Sequence, residues 1–189
     1  MRPWLQTYTG RVFDLQRPTI EMIDARDIAH SLANTNRYNG HTKFPYSVAQ
    51  HSVLMAELLS SEGVLRRQAL MHDAHDAYTG DIITPIKREV PELVPWEIGV
   101  RGVVRRAFGL PALLDAAIDL ADTRMLCTER AQLQTWPPPK PWAVDGSPYP
   151  DLRIVPWDPE RSEREMYRRM DSWGLIDALI TRQGLRSGY

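Results

Sequence analysis

The chain is poor in several features that would direct its reading elsewhere. One cysteine among 189 residues, Cys127, permits no intramolecular disulfide, and its neighbours Met125 and Leu126 mark it as a small core residue on a helix. A reducing cytoplasm is the expected setting. No stretch approaches the roughly 20 apolar residues that span a bilayer, and Met1-Arg2-Pro3-Trp4-Leu5-Gln6 lacks the apolar run of an export signal. A soluble, unexported protein is therefore expected. A basic excess is also missing: 23 Lys and Arg stand against 24 Asp and Glu, a formal net charge of -1. That balance gives no sequence-independent grip on nucleic acid or on an anionic membrane. No internal repeat is visible. What remains, 43% hydrophobic and 25% charged residues, is the composition of one ordinary globular domain over 1–189 with a sizeable core.

The local signals are mostly helical. Leu5 to Phe13 has β-branched and aromatic residues on both sides of Thr9-Gly10, which predicts a small N-terminal β-hairpin. Asp24, with Asp27 three residues on, is an N-capping arrangement that opens a helix through Ile28 and Leu32, ending near Asn34-Thr35-Asn36. Arg37 to Thr42 reads as loop. From Ser47 a helix carries Val48, Met55, Leu58 and Leu59 on one stripe, and His51 falls on that stripe. After a break at Ser61-Glu62-Gly63, one helix is expected from about Val64 to Tyr78, closed by Thr79-Gly80. Pro85, Pro91 and Pro95 allow only short turns before a helix from Trp96 to Phe108. Another helix is expected from about Ala112 to Leu133, with Leu114, Ile118, Ala121 and Met125 on one face. Trp136 to Trp142, with four prolines, must be extended, and the stretch 136–157 reads as a strap over the helices. Asp158-Pro159-Glu160 opens a last helix, about 159–173. The expected fold is a mostly α single-domain bundle of five or six helices.

All five histidines, His30, His41, His51, His72 and His75, lie between positions 30 and 75. His72-Asp73 on a helix offers an imidazole and a carboxylate, a pair suited to borderline divalent metals. Two more ligands are needed. The inward-facing His51 is one candidate; Asp122, at the edge of an apolar stripe where a carboxylate needs a partner, is the other, with Asp119 as its rival.

The order His51, His72-Asp73, Asp122 on successive helices resembles the H…HD…D metal site of the HD-domain phosphohydrolase superfamily. Ser47-Val48-Ala49-Gln50-His51-Ser52, Met71-His72-Asp73-Ala74, Thr79-Gly80-Asp81-Ile82 with Pro85-Ile86-Lys87, and Ala121-Asp122 are similar to the bacterial and prophage 5'-deoxynucleotidase group and to the related phage dATP triphosphohydrolases. The resemblance covers about residues 8–130, and less specifically Ile154-Val155-Pro156. It implies one divalent transition metal (cobalt, manganese, zinc or iron) on His51, His72, Asp73 and Asp122, with a second ion such as magnesium accompanying a triphosphate. It implies catalytic carboxylates at Asp76, where the group usually has glutamate, and at Asp81. It implies phosphate binding by Arg37, sugar packing by Tyr38, a phosphate contact from Lys87 and a nucleoside-pocket wall at Pro85; His41 is a further candidate for touching phosphate. The implied partner is a small-molecule deoxynucleotide, mono- or triphosphate, and the implied assembly is a homo-oligomer.

Each residue also has an ordinary reading. A lone histidine on an apolar helix face is more often a hydrogen-bonded core residue than a ligand, and adjacent polar pairs are common on solvated faces. His30 and His75 read as structural or surface residues, Arg37 alone as a surface charge, and His41 as a turn residue. A non-catalytic nucleotide sensor on the same scaffold is the alternative function.

Overall fold

A computed structural model describes residues 3–59, 63–142 and 144–184. Two short antiparallel strands, β1 (Trp4–Gln6) and β2 (Val12–Asp14), pair with Leu5 opposite Phe13. Gly10 turns the hairpin at φ 84°, a left-handed conformation that costs glycine nothing. The rest is helical: α1 (Ala25–Asn34), α2 (Val48–Leu58), α3 (Gly63–Leu70), α4 (Asp76–Thr79), α5 (Thr84–Glu89), α6 (Leu93–Ala107), α7 (Ala116–Leu133), α8 (Pro159–Ser172) and α9 (Leu175–Arg182). The mostly α bundle with a small N-terminal hairpin is the fold expected from the sequence.

The caps expected at Asp24 and Asp158 form, and Ser47 and Asp115 add two more. Asp24, Ser47, Asp115 and Asp158 each accept a backbone N–H of the helix they open, satisfying donors that the first turn leaves unpaired. One core joins Phe13, Ile28 and Leu32 to Val53, Met55, Leu70, Val104, Met125, Met166 and Met170, all buried. In α8 the inward row is Ser162, Met166, Arg169 and Met170, the spacing of one helix face. Residues 146–157 do strap the bundle: Tyr149 N–H donates to Thr128 Oγ1, Ile154 N–H to Gln132 Oε1, and Trp157 N–H to Gln50 Oε1.

Four expectations change. The helix expected over 64–78 is broken, because residues 71–75 wind into tight turns between α3 and α4. The helix expected from Ala112 starts at Ala116 behind its Asp115 cap. Leu58, placed on the inward stripe, is 40% exposed. The helix α9, which the sequence reading lacks, follows a left-handed Gly174 at φ 71° and buries Leu175 and Leu179. The break expected at Ser61-Glu62 lies outside the described residues. No helix among the described residues is long and apolar enough to cross a membrane.

Candidate metal centre

The site is assembled by a local crossing of the chain. Arg37 N–H donates to Tyr46 C=O (2.9 Å) and Val48 N–H to Thr35 C=O (2.9 Å), which clamps the segment after α1 against the start of α2. Arg37 is thereby set beside His51. The following Tyr38 and Asn39 have φ of 58° and 50°, left-handed values that cost a non-glycine residue roughly 1–2 kcal/mol each. Such strain persists only where surrounding contacts hold it. Here the Tyr38 hydroxyl donates to the buried carboxylate of Glu129 on α7.

Four of the predicted residues converge. His51 Nε2 lies 3.3 Å from His72 Nε2, 3.2 Å from Asp122 Oδ1 and 4.0 Å from Asp73 Oδ2. His72 Nε2 lies 3.0 Å from Asp73 Oδ2 and 3.9 Å from Asp122 Oδ1. Both histidines are buried, and Asp122 keeps 42% of its side chain exposed, so the cluster opens on the α7 side. Asp119, the rival of Asp122, is exposed on the same helix.

The hydrogen bonds behind the rings decide what faces the centre. His72 Nδ1 lies 2.7 Å from the Ala69 carbonyl and His51 Nδ1 2.6 Å from Glu129 Oε1. A carbonyl can only accept, and burial of Glu129 is outweighed by Arg37 and His51, which hold its carboxyl below the ordinary glutamate range. Both Nδ1 atoms therefore donate, leaving both Nε2 atoms to face each other and two carboxylates. Asp122 Oδ1 is buried with no hydrogen-bond partner. Converging lone pairs with an orphaned carboxylate oxygen are satisfied by a cation, and ligands about 2.1 Å from a shared ion sit about 3.4 Å apart in a tetrahedron. His51, His72 and Asp122 could hold a metal ion. A proton is the competitor: burial and Arg37 oppose charge on His51, yet Glu129 and Asp122 outweigh them and raise it to about 9. At Asp122 burial is outweighed by His51, with His72 and Arg37, and the carboxyl is pulled down to about 2.

Arg37 borders this centre with Nη1 3.3 Å from Asp73, Nη2 3.9 Å from Asp122 and Nε 3.3 Å from Glu129. Asp76 stands elsewhere than the sequence spacing suggests. Residues 71–76 close three-residue turns, with Ala74 N–H on Met71 C=O and Asp76 N–H on Asp73 C=O. Side chains three apart then line up, so His75 lies under His72 and Asp76 under Asp73. Asp76 packs with His75 (3.4 Å) and with Glu97 of α6 in a second buried group that could also hold a metal ion. That group already contains cations: Lys87 Nζ is 2.9 Å from Glu97 and Arg101 Nη2 is 3.4 Å from His75 Nε2. The first group sets three carboxylates against one guanidinium and is the better cation site.

Burial, with Asp73 and Asp81 nearby, raises the Asp76 carboxyl well above the usual range. Burial also raises Asp81, which feels Arg37, Asp73, His51 and Lys87. Burial pushes His75 down to about 3. Of the remaining candidates, Lys87 is tied to Glu97, Pro85 is exposed, and His41 lines a separate open groove of about 520 Å³ with Trp136 and Trp142. The Tyr38 ring centroid is 6.0 Å from that of Trp142. His30, expected to be structural, stacks on Tyr8 at 3.7 Å and meets Glu163 at 2.9 Å.

Glu129, Glu97 and Arg101 were not legible as site residues in the motifs. Glu129 follows Asp122 by seven positions, two helical turns on one face, and Glu97 interrupts the apolar row of Val100 and Val104. A carboxylate on a buried row was the available signal.

No family model matches the chain. The Escherichia coli (strain K12) protein "Uncharacterized protein YfdR" is 37% identical over 153 residues, covering 81% of this chain and 80% of its own. The Rhodobacter capsulatus protein "Uncharacterized protein RCAP_rcc00048" is 37% identical over 163 residues, covering 80% and 83%. The chain belongs to the family of these two proteins.

Proposed function

We propose that this protein is a metal-dependent phosphohydrolase of the HD type, cleaving a 5'-phosphate ester of 2'-deoxynucleotides. The observation that carries the reading is the convergence of His51, His72, Asp73 and Asp122, four residues from three separated segments, with an arginine at its edge. When bound there, a divalent ion supplies Lewis acidity, drawing charge from a phosphoryl oxygen and lowering the pKa of water toward ~7.

The chain's own residues supply the rest. The Arg37 fork is suited to two phosphate oxygens at once. Asp76 and Asp81, both raised by burial, are the carboxyls nearest the centre that burial biases toward the protonated form, the form that can give a proton to a leaving oxygen. The second cluster keeps Lys87 on Glu97, so Lys87 acts on substrate only through field unless that pair opens. The half-buried Tyr38 presents an aromatic wall next to Arg37, where a deoxyribose fits and a 2'-hydroxyl is crowded.

The test is a turnover screen of metal-stripped protein restored with Mn²⁺, Co²⁺, Zn²⁺ or Mg²⁺ against all deoxy- and ribonucleoside mono- and triphosphates. Orthophosphate from deoxynucleoside monophosphates, or triphosphate from a deoxynucleoside triphosphate, is the expected product. Nucleotide binding without turnover under every metal would instead make the protein a sensor.

A further inference from the structure

Glu129 is completely buried on α7, between His51 and Arg37. Its Oε1 accepts from Tyr46 Oη (2.9 Å) and His51 Nδ1 (2.6 Å). Its Oε2 accepts from the Tyr38 hydroxyl and faces Arg37 Nε at 3.3 Å. A carboxylate offers about four lone-pair sites, and three hydrogen-bond donors and one ion-paired guanidinium N–H surround them. Two of these groups belong to different subsites, and Glu129 holds each by the atom remote from its working end. His51 is held by Nδ1, which leaves Nε2 toward His72 and Asp122; Arg37 is held by Nε, which leaves both Nη atoms toward the centre.

We propose that Glu129 is a positioning residue that builds the cation subsite and the anion subsite together, by orienting the His51 ring and the Arg37 guanidinium from one buried carboxylate. The inference rests on the hydrolase reading only for what the anion is. A buried carboxylate behind a ligating imidazole fixes the ring and strengthens it as a ligand. The same charge on Arg37 Nε keeps the guanidinium plane from rotating onto Asp73 alone.

Glu129→Gln tests this at constant shape. The amide has one acceptor oxygen, so its NH₂ must face either the Tyr46–His51 pair or the Tyr38–Arg37 pair, and at least one subsite loses its anchor. Tyr46→Phe is the control, because it removes a donor from Glu129 without touching either subsite. Co²⁺ affinity is read by chelator competition and visible absorption, and KM separately from kcat on a deoxynucleoside monophosphate with metal saturating. Glu129→Gln is expected to weaken Co²⁺ about 10- to 100-fold and to raise KM, whereas Tyr46→Phe lowers the melting temperature and leaves both constants within about twofold. A folded Glu129→Gln protein with wild-type Co²⁺ affinity and KM overturns the proposal. If the variant does not fold, nitrogen-15 NMR of the wild-type Zn²⁺ protein decides: the proposal requires a proton on His51 Nδ1 and metal on Nε2, and the reverse overturns it. Loss of Co²⁺ affinity in a protein that turns over no phosphate ester upholds the positioning of His51 and refutes the hydrolase reading instead.

Discussion

Metal binding at this centre must expel a proton. His51 is raised to about 9, against about 6.5 for an unperturbed histidine. At pH 7 the imidazole is therefore mostly protonated in the metal-free protein, and only the neutral ring can ligate. The proton competes with the metal and lowers its apparent affinity at pH 7, by about tenfold for each pH unit that the His51 pKa lies above the solution pH. Apparent affinity should rise about tenfold between pH 7 and pH 8 and level off above pH 9. Isothermal titration of Zn²⁺ or Mn²⁺ in buffers of different ionisation enthalpy counts the released proton directly, with about one expected at pH 7. The sign follows from the cause: Glu129 and Asp122 favour the charged ring, so raising the pH removes the competitor. Metal binding that releases no proton and is flat from pH 7 to pH 8 would refute the reasoning.

Other consequences follow from the same contacts. His72→Ala and Asp73→Ala should each abolish stoichiometric metal binding and turnover while circular dichroism stays helical, because the core packs through Met71 and Ala74 rather than through these side chains. Gln50→Ala should cost about 2–3 kcal/mol, or roughly 5–10 °C in Tm, because Gln50 donates to Val155 C=O at 2.7 Å and accepts from Trp157 N–H at 3.3 Å; metal binding should be retained, as checked by thermal melts and chelator competition. Arg169→Met should destabilise the α8 docking, because Arg169 donates to Glu57 at 2.6 Å and to Glu165 at 2.7 Å. Hydrogen bonds from Arg169 and Arg168 hold Glu165 down at about 2, so its stabilisation is present above the ordinary glutamate pKa and is lost as pH falls toward 2. Urea titrations between pH 5 and pH 2 should show that acid sensitivity reduced in Arg169→Met.

The fold was legible where short-range physics decides it. Asp24 and Asp158 announce helix starts through side chains that can accept a first-turn N–H, and Gly10 marks the hairpin turn. The break after Leu70 was not legible, since nothing in Met71-His72-Asp73-Ala74-His75 disfavours a helix locally; the tight winding comes with burial of Met71 and Ala74 on one row and with His72 reaching back to Ala69. The same break moved Asp76 from the row of His72 to the row of Asp73. Among site residues, His51, His72-Asp73 and Asp122 were legible together through the motifs of the family resemblance, and the fold does bring them within 4.0 Å of one another in pairs. Glu129 was missed because its role depends on Tyr38, Tyr46, Arg37 and His51 meeting from distant parts of the chain, which no spacing encodes. The pairing of Lys87 with Glu97 was not legible because Glu97 lies ten residues on, across the bend between α5 and α6.

The central claim is that these four side chains form the metal centre. Anomalous diffraction from crystals of the Co²⁺- or Zn²⁺-loaded protein tests it most directly. The account predicts one strong peak bonded to His51 Nε2, His72 Nε2 and the carboxylates of Asp73 and Asp122, at about 2.0–2.2 Å. A peak at His75, Asp76 and Glu97, with the four residues left without metal, would contradict it.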